Sequence, residues 1–89
     1  MSEQEIHKIC KKYRIRNYTI NPDGSIDGDG DVDLLHLNLT KIPIKFNNVY
    51  GYFSCSYNNL TSLENCPKWC KGAFFCIENN LTSLEGSPI

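Results

Sequence analysis

The sequence predicts a mainly β fold with an N-terminal helix: a short solenoid of stacked 21-residue coils, closed at one end by a helix and a β-hairpin. Three observations carry this expectation. A 17-residue block recurs after 21 residues without a gap. Apolar residues fall at the same offsets in each copy. The segment ahead of the repeats shows helical spacing and then a turn signature. Periodicity takes precedence over local propensity, because a coil that cannot bury its own apolar side makes sense only beside its neighbours.

The two clear copies are Gly51 to Pro67 and Gly72 to Pro88, identical at eleven of seventeen positions. A weaker copy lies 21 residues earlier, where Gly30, Val32, Leu34, Asn38, Leu39, Thr40 and Ile42 match Gly51, Phe53, Cys55, Asn59, Leu60, Thr61 and Leu63. Residues two apart, Phe53 and Cys55 or Phe74 and Cys76, read as short strands with both side chains inward. Leu60 with Leu63, and Leu81 with Leu84, read as the return across the core. Asn58 and Asn79 stand where the strand turns, and there their carboxamides serve backbone groups that no ladder reaches. The first copy breaks the pattern with Leu37 at that position, so its turn is expected to be irregular.

The cap comes before these coils. Ser2 and Glu5 form a capping-box pair, and Ile6, Ile9, Cys10 and Tyr13 follow at helical spacing, which predicts a helix over about 2 to 13 with Lys8, Lys11 and Lys12 facing outward. Asn21-Pro22-Asp23-Gly24 between Tyr18-Thr19-Ile20 and Ser25-Ile26 suits a hairpin turn. The organisation that follows is a cap over 1–29 and coils over 30–89, together one structural domain.

Composition narrows the function classes. The chain has 89 residues, 40% hydrophobic and 21% charged, with a net charge of -1, so no global charge favours nucleic acid or membrane. Charge is nevertheless polarised: Lys8, Lys11, Lys12, Arg14 and Arg16 precede an acidic stretch ending in Asp27, Asp29, Asp31 and Asp33. There is no apolar run of bilayer length and no signal-peptide start, and the expected compartment is the reducing cytoplasm.

Phe53-Ser54-Cys55-Ser56-Tyr57-Asn58-Asn59-Leu60 and Phe74-Phe75-Cys76-Ile77-Glu78-Asn79-Asn80-Leu81 resemble the leucine-rich-repeat pattern Leu-x-Leu-x-x-Asn-x-Leu. With the Tyr18 to Ile26 cap segment, the chain is similar to small uncharacterised repeat proteins of phages and environmental bacteria. The resemblance implies an architecture and no reaction. Its phage side implies a small protein that binds and blocks a host protein, such as a defence component.

Site chemistry is sparse. Cys55 and Cys76 are equivalent core positions, Cys66 and Cys70 lack a second ligand pair, and no metal or cofactor is expected. Alternating Asp27, Asp29, Asp31 and Asp33 are expected on one strand face, without the glycine and glutamate of a calcium loop. His7 and His36 have no nucleophile in a recognisable motif, so no catalytic residue is expected and the chain is read as a non-enzyme. The expected partner surface is the outward side of the strands, with Leu35, Tyr52, Ser54, Ala73, Phe75 and Ile77 as its residues, and the partner a protein. A homodimer through the uncapped C-terminal end is also expected. The alternative is a nucleic-acid-associated or mimicking protein using the basic helix or the acidic strand, although the acids beside the helix make nucleic acid the weaker expectation.

Overall fold

The computed structural model describes residues 1–88, which form one helix and seven short strands. Helix α1 spans Glu3–Lys12, and the strands are β1 (Tyr18–Ile20), β2 (Ile26–Gly28), β3 (Val32–Asp33), β4 (Phe46–Val49), β5 (Phe53–Ser54), β6 (Trp69–Cys70) and β7 (Phe74–Phe75). The protein is mainly strand with one N-terminal helix.

Helix α1 starts at Ser2, whose hydroxyl accepts from the Glu5 amide while the Glu5 carboxylate accepts from the Ser2 amide. These reciprocal bonds satisfy helix-end donors that have no intrahelical partner. Acids in the first turn and lysines in the last complement the helix dipole. Ile6 and Cys10 are buried, with Ile9 and Tyr13 packed at the edge of the same core. Arg14, at φ 59°, ends the helix by turning the chain back, and Ile15 then plugs into the core as its amide bonds the Cys10 carbonyl.

The hairpin forms as expected. Strands β1 and β2 pair antiparallel with Ile20 opposite Ile26. Gly24, at φ 86°, takes a conformation that a Cβ disfavours, and its amide bonds the Asn21 carbonyl. The Asp23 carboxylate accepts from both the amide and the hydroxyl of Ser25, which holds its pKa below the usual value.

The strands form two sheets, ordered β1-β2-β4-β6 and β3-β5-β7. Every pairing except the hairpin is parallel, and the registers repeat: Val32 lies beside Phe53 and Phe53 beside Phe74, while Val49 lies beside Gly28 on one side and Cys70 on the other. Each step is 21 residues. The second parallel row, β2-β4-β6, has no counterpart in the sequence reading, which placed one strand in each copy.

Between the sheets lies one apolar cluster that includes Ile6, Ile26, Leu34, Ile42, Phe46, Phe53, Leu60 and Leu63. Phe53 is its centre, stacked on Phe74 at 5.7 Å between ring centroids and met edge-on by Phe46 at 5.1 Å. Both arrangements are favoured by ring quadrupoles.

Asn58 completes the turn after β5. Its Oδ1 accepts from the amides of Leu37 and Leu39, and its Nδ2 donates to the carbonyls of Leu34, Cys55 and Ser56. Asn79 repeats this one step on, accepting from Leu60 and donating to Cys55, Cys76 and Ile77. Leu37, at the equivalent place in the first copy, contributes only its amide to this network. Just before each of these positions, His36, Tyr57 and Glu78 adopt φ of 56°, 56° and 55°. Three side chains of unlike chemistry share a left-handed backbone costing about 1–2 kcal/mol each, so the turn geometry is imposed by the stacking and not by local preference.

Candidate protein-interaction surface

The outward side of β3-β5-β7 is built from three aligned rows. Asp31, Tyr52 and Ala73 form one, Asp33, Ser54 and Phe75 the next, and Leu35, Ser56 and Ile77 the third. Leu35, Phe75 and Ile77 are 43%, 45% and 58% exposed. Tyr52 is half-buried and meets the edge of Phe75 at 6.3 Å, while Ala73 is exposed. These residues lie together on one side of the sheet.

Ser54 departs from expectation, because it is buried, as is Ser56. Ser54 ends the central strand β5 and Ser56 follows it, each flanked in its row by larger residues, Asp33 and Phe75 for the first and Leu35 and Ile77 for the second. The Ser56 hydroxyl is further engaged by the Ile77 amide. The face is therefore a shallow trough, floored by two serines and walled by Leu35 on one side and by Phe75 and Ile77 on the other. Beside it His36 stacks on Tyr57 at 4.9 Å, and Tyr57 is 43% exposed.

The acidic run is not the single strand face that its alternation suggested. Asp27 lies in β2 and Asp33 in β3, strands of different sheets, and the chain bends between them at Asp29 and Gly30. Each carboxylate serves its own neighbour: Asp27 accepts from Asn21 and the Asn48 amide, Asp29 from Thr19, Asp31 from the Tyr52 amide and Asp33 from the Leu35 amide. Among the described residues no group of three or more His, Cys, Asp or Glu has the geometry to hold a metal ion.

The cysteines follow burial. Cys55 and Cys66 are buried, with the Cys55 thiol donating to the Phe75 carbonyl, and Cys70 and Cys76 are half-buried. The neighbouring Cys55 thiol, and then loss of water, pushes the Cys66 thiol above its usual pKa, and loss of water raises those of Cys70 and Cys76, which keeps them protonated and weakly nucleophilic at neutral pH. Cys10 is raised for the same reason beneath Tyr18, whose hydroxyl also meets His7 Nδ1.

Burial falls away toward the C-terminal end. Cys55, Leu60 and Leu63 are at most 1% exposed, whereas Cys76 and Leu81 are half-buried and Leu84 is 66% exposed. The amides of Val32, Leu34 and His36 bond carbonyls of the next strand, as do those of Phe53, Cys55 and Tyr57. β7 is the edge of its sheet.

No family model, curated protein or solved structure matches the chain. The site must be read from its own chemistry. A second aromatic pair, on the other sheet, escaped the sequence reading: Tyr50 and Trp69 meet edge-to-face at 5.5 Å and are 48% and 40% exposed. The signal for it lay in extending the 21-residue alignment backward, which sets Phe46 over Pro67 and Val49 over Cys70 as buried or half-buried pairs. Among the described residues no helix is long and apolar enough to cross a membrane.

Proposed function

We propose that the chain is a short leucine-rich-repeat-like solenoid acting as a non-catalytic protein-interaction module. The observation that carries this reading is the apolar continuity between the strand face and the C-terminal end. Phe75 in β7 and Ile77 just after it are exposed, while Phe74, Cys76 and Leu81 pack against the thinly covered core beside them and Leu84 is exposed at that end. A surface of adjoining aromatic and aliphatic groups is characteristic of an interface centre. The partner at the end is a second copy of the chain, and the partner on the face is a different protein. By its likeness to phage repeat proteins, that protein belongs to the host cytoplasm, with a defence component as the concrete form.

Two measurements separate the parts of this proposal. Sedimentation at tens of micromolar is expected to show a dimer that Leu84→Asp converts to a monomer, and a wild-type monomer overturns the self-association. Capture of one host protein is expected to survive high salt and to be lost with Phe75→Asp but not with Lys45→Gln. Capture indifferent to Phe75→Asp removes the face from the reading.

A further inference from the structure

The reversal after α1 assembles a cationic cleft that the interaction surface does not use. Its lining is His7, Lys11, Arg14, Ile15, Arg16 and Tyr18, around a volume of about 390 Å³. His7 and Lys11 are four apart on α1 and so share a face. The left-handed backbone at Arg14 folds the chain back along that face, and burial of Ile15 anchors it there. Arg14 and Arg16, flanking a residue whose side chain points into the core, are both left exposed at the cleft. The Tyr18 hydroxyl, held by His7 Nδ1, contributes a polar group to the same wall.

Three cationic side chains, Lys11, Arg14 and Arg16, thus line one concavity beside His7, and among the described residues none of them is in an ion pair. Among the described residues the one ion pair is Lys45 with Asp23, on the hairpin side of the molecule. Lys12 is directed to the Tyr13 ring and lines no part of the cleft. Like charges at one concavity repel one another, and a bound oxyanion would offset that repulsion. Two guanidinium forks and an ammonium match the tetrahedral array of phosphate oxygens better than they match a planar carboxylate.

We infer that this cleft binds a single phosphate group, as orthophosphate or as the terminal group of a phosphomonoester, through Lys11, Arg14, Arg16 and the His7–Tyr18 pair. The inference is independent of the protein-interaction reading.

The test is a titration of ¹⁵N-labelled full-length chain with sodium phosphate, with adenosine monophosphate and with sodium chloride at matched ionic strength. Saturable shifts of the Ile15, Arg16 and Tyr18 amides with phosphate, absent with chloride, are the expected result. Arg14→Gln and Arg16→Gln should each weaken binding about tenfold, while Lys45→Gln leaves it unchanged. All three side chains are exposed, and thermal melts of each variant confirm the fold before binding is compared. Tighter binding of the monophosphate than of orthophosphate identifies the monoester as the ligand class, and weaker binding identifies the free anion. Non-saturating shifts equal to those of chloride overturn the inference. So does affinity that climbs with the length of a single-stranded oligonucleotide, which would mark a backbone track instead of a one-phosphate site.

Discussion

Removing the Asn58 carboxamide, by Asn58→Ala, tests the turn network most directly. The side chain is 6% exposed and makes five hydrogen bonds. Three of the groups it serves keep another partner. The Ser56 carbonyl still receives the His36 amide, the Cys55 carbonyl still receives Asn79 Nδ2, and the Leu37 amide belongs to an exposed residue that water reaches. That leaves the Leu39 amide and the Leu34 carbonyl, both on buried residues, without a replacement. Each orphaned group costs about 1–3 kcal/mol, so the variant should lose about 2–6 kcal/mol. Asn79→Ala is the internal control. Its loss orphans the Leu60 amide and takes the partner from the carbonyl of half-buried Cys76, while the Cys55 and Ile77 carbonyls retain Asn58 and the Tyr57 amide, for an expected cost of about 1–3 kcal/mol. Urea unfolding followed by far-ultraviolet circular dichroism compares the two, since in a small domain of about 5 kcal/mol the first change should remove most of the stability and the second clearly less. Equal losses for the two variants would refute the accounting of replaced partners.

Four further outcomes follow from the same geometry. Phe53→Ala, at the meeting point of Phe46 and Phe74, should cost about 3–5 kcal/mol by denaturant unfolding, and clearly more than Phe74→Ala at the thinly covered end. Gly51→Ala places a Cβ 2.7 Å from the Asp31 amide nitrogen, against backbone that the Val32 to Tyr52 hydrogen bond holds in place, and should cost more than about 2 kcal/mol. Glu78→Gly relieves a left-handed glutamate that makes no side-chain hydrogen bond, and a melting temperature raised by a few degrees, or about 1 kcal/mol, is the outcome to check. Asp23 has a depressed folded-state pKa, so its contribution is complete above the unfolded value near 4 and is lost as pH falls below it; melting curves against pH should flatten in that range for Asp23→Asn.

Much of the fold was readable in one dimension because parallel pairing between equivalent segments writes itself into the chain as a fixed offset. The Val32, Phe53 and Phe74 column, the capping box at Ser2 and Glu5, and the turn at Asn21 to Gly24 are all local or periodic features. The row β2-β4-β6 was missed because Gly28, Val49 and Cys70 share position but not residue type. On the candidate face, Leu35, Phe75 and Ile77 were legible as outward residues from the two-residue alternation of a strand.

Only the tertiary structure decided how exposed each outward position is. Ser54 alternates correctly and yet is buried, since accessibility on a central strand depends on the size of its neighbours across the sheet. The acidic run alternates just as well, but a bend at Asp29 and Gly30 sends its two ends to different sheets, and each carboxylate finds a separate partner. Arg14, Arg16 and His7 were merely basic residues in a row until one left-handed turn folded them around a common space. By itself the amino-acid order determined which residues recur at a 21-residue offset, because parallel pairing in register sets such residues side by side. The three-dimensional chain path decided which outward groups meet solvent together, because that depends on neighbours contributed from elsewhere in the sequence.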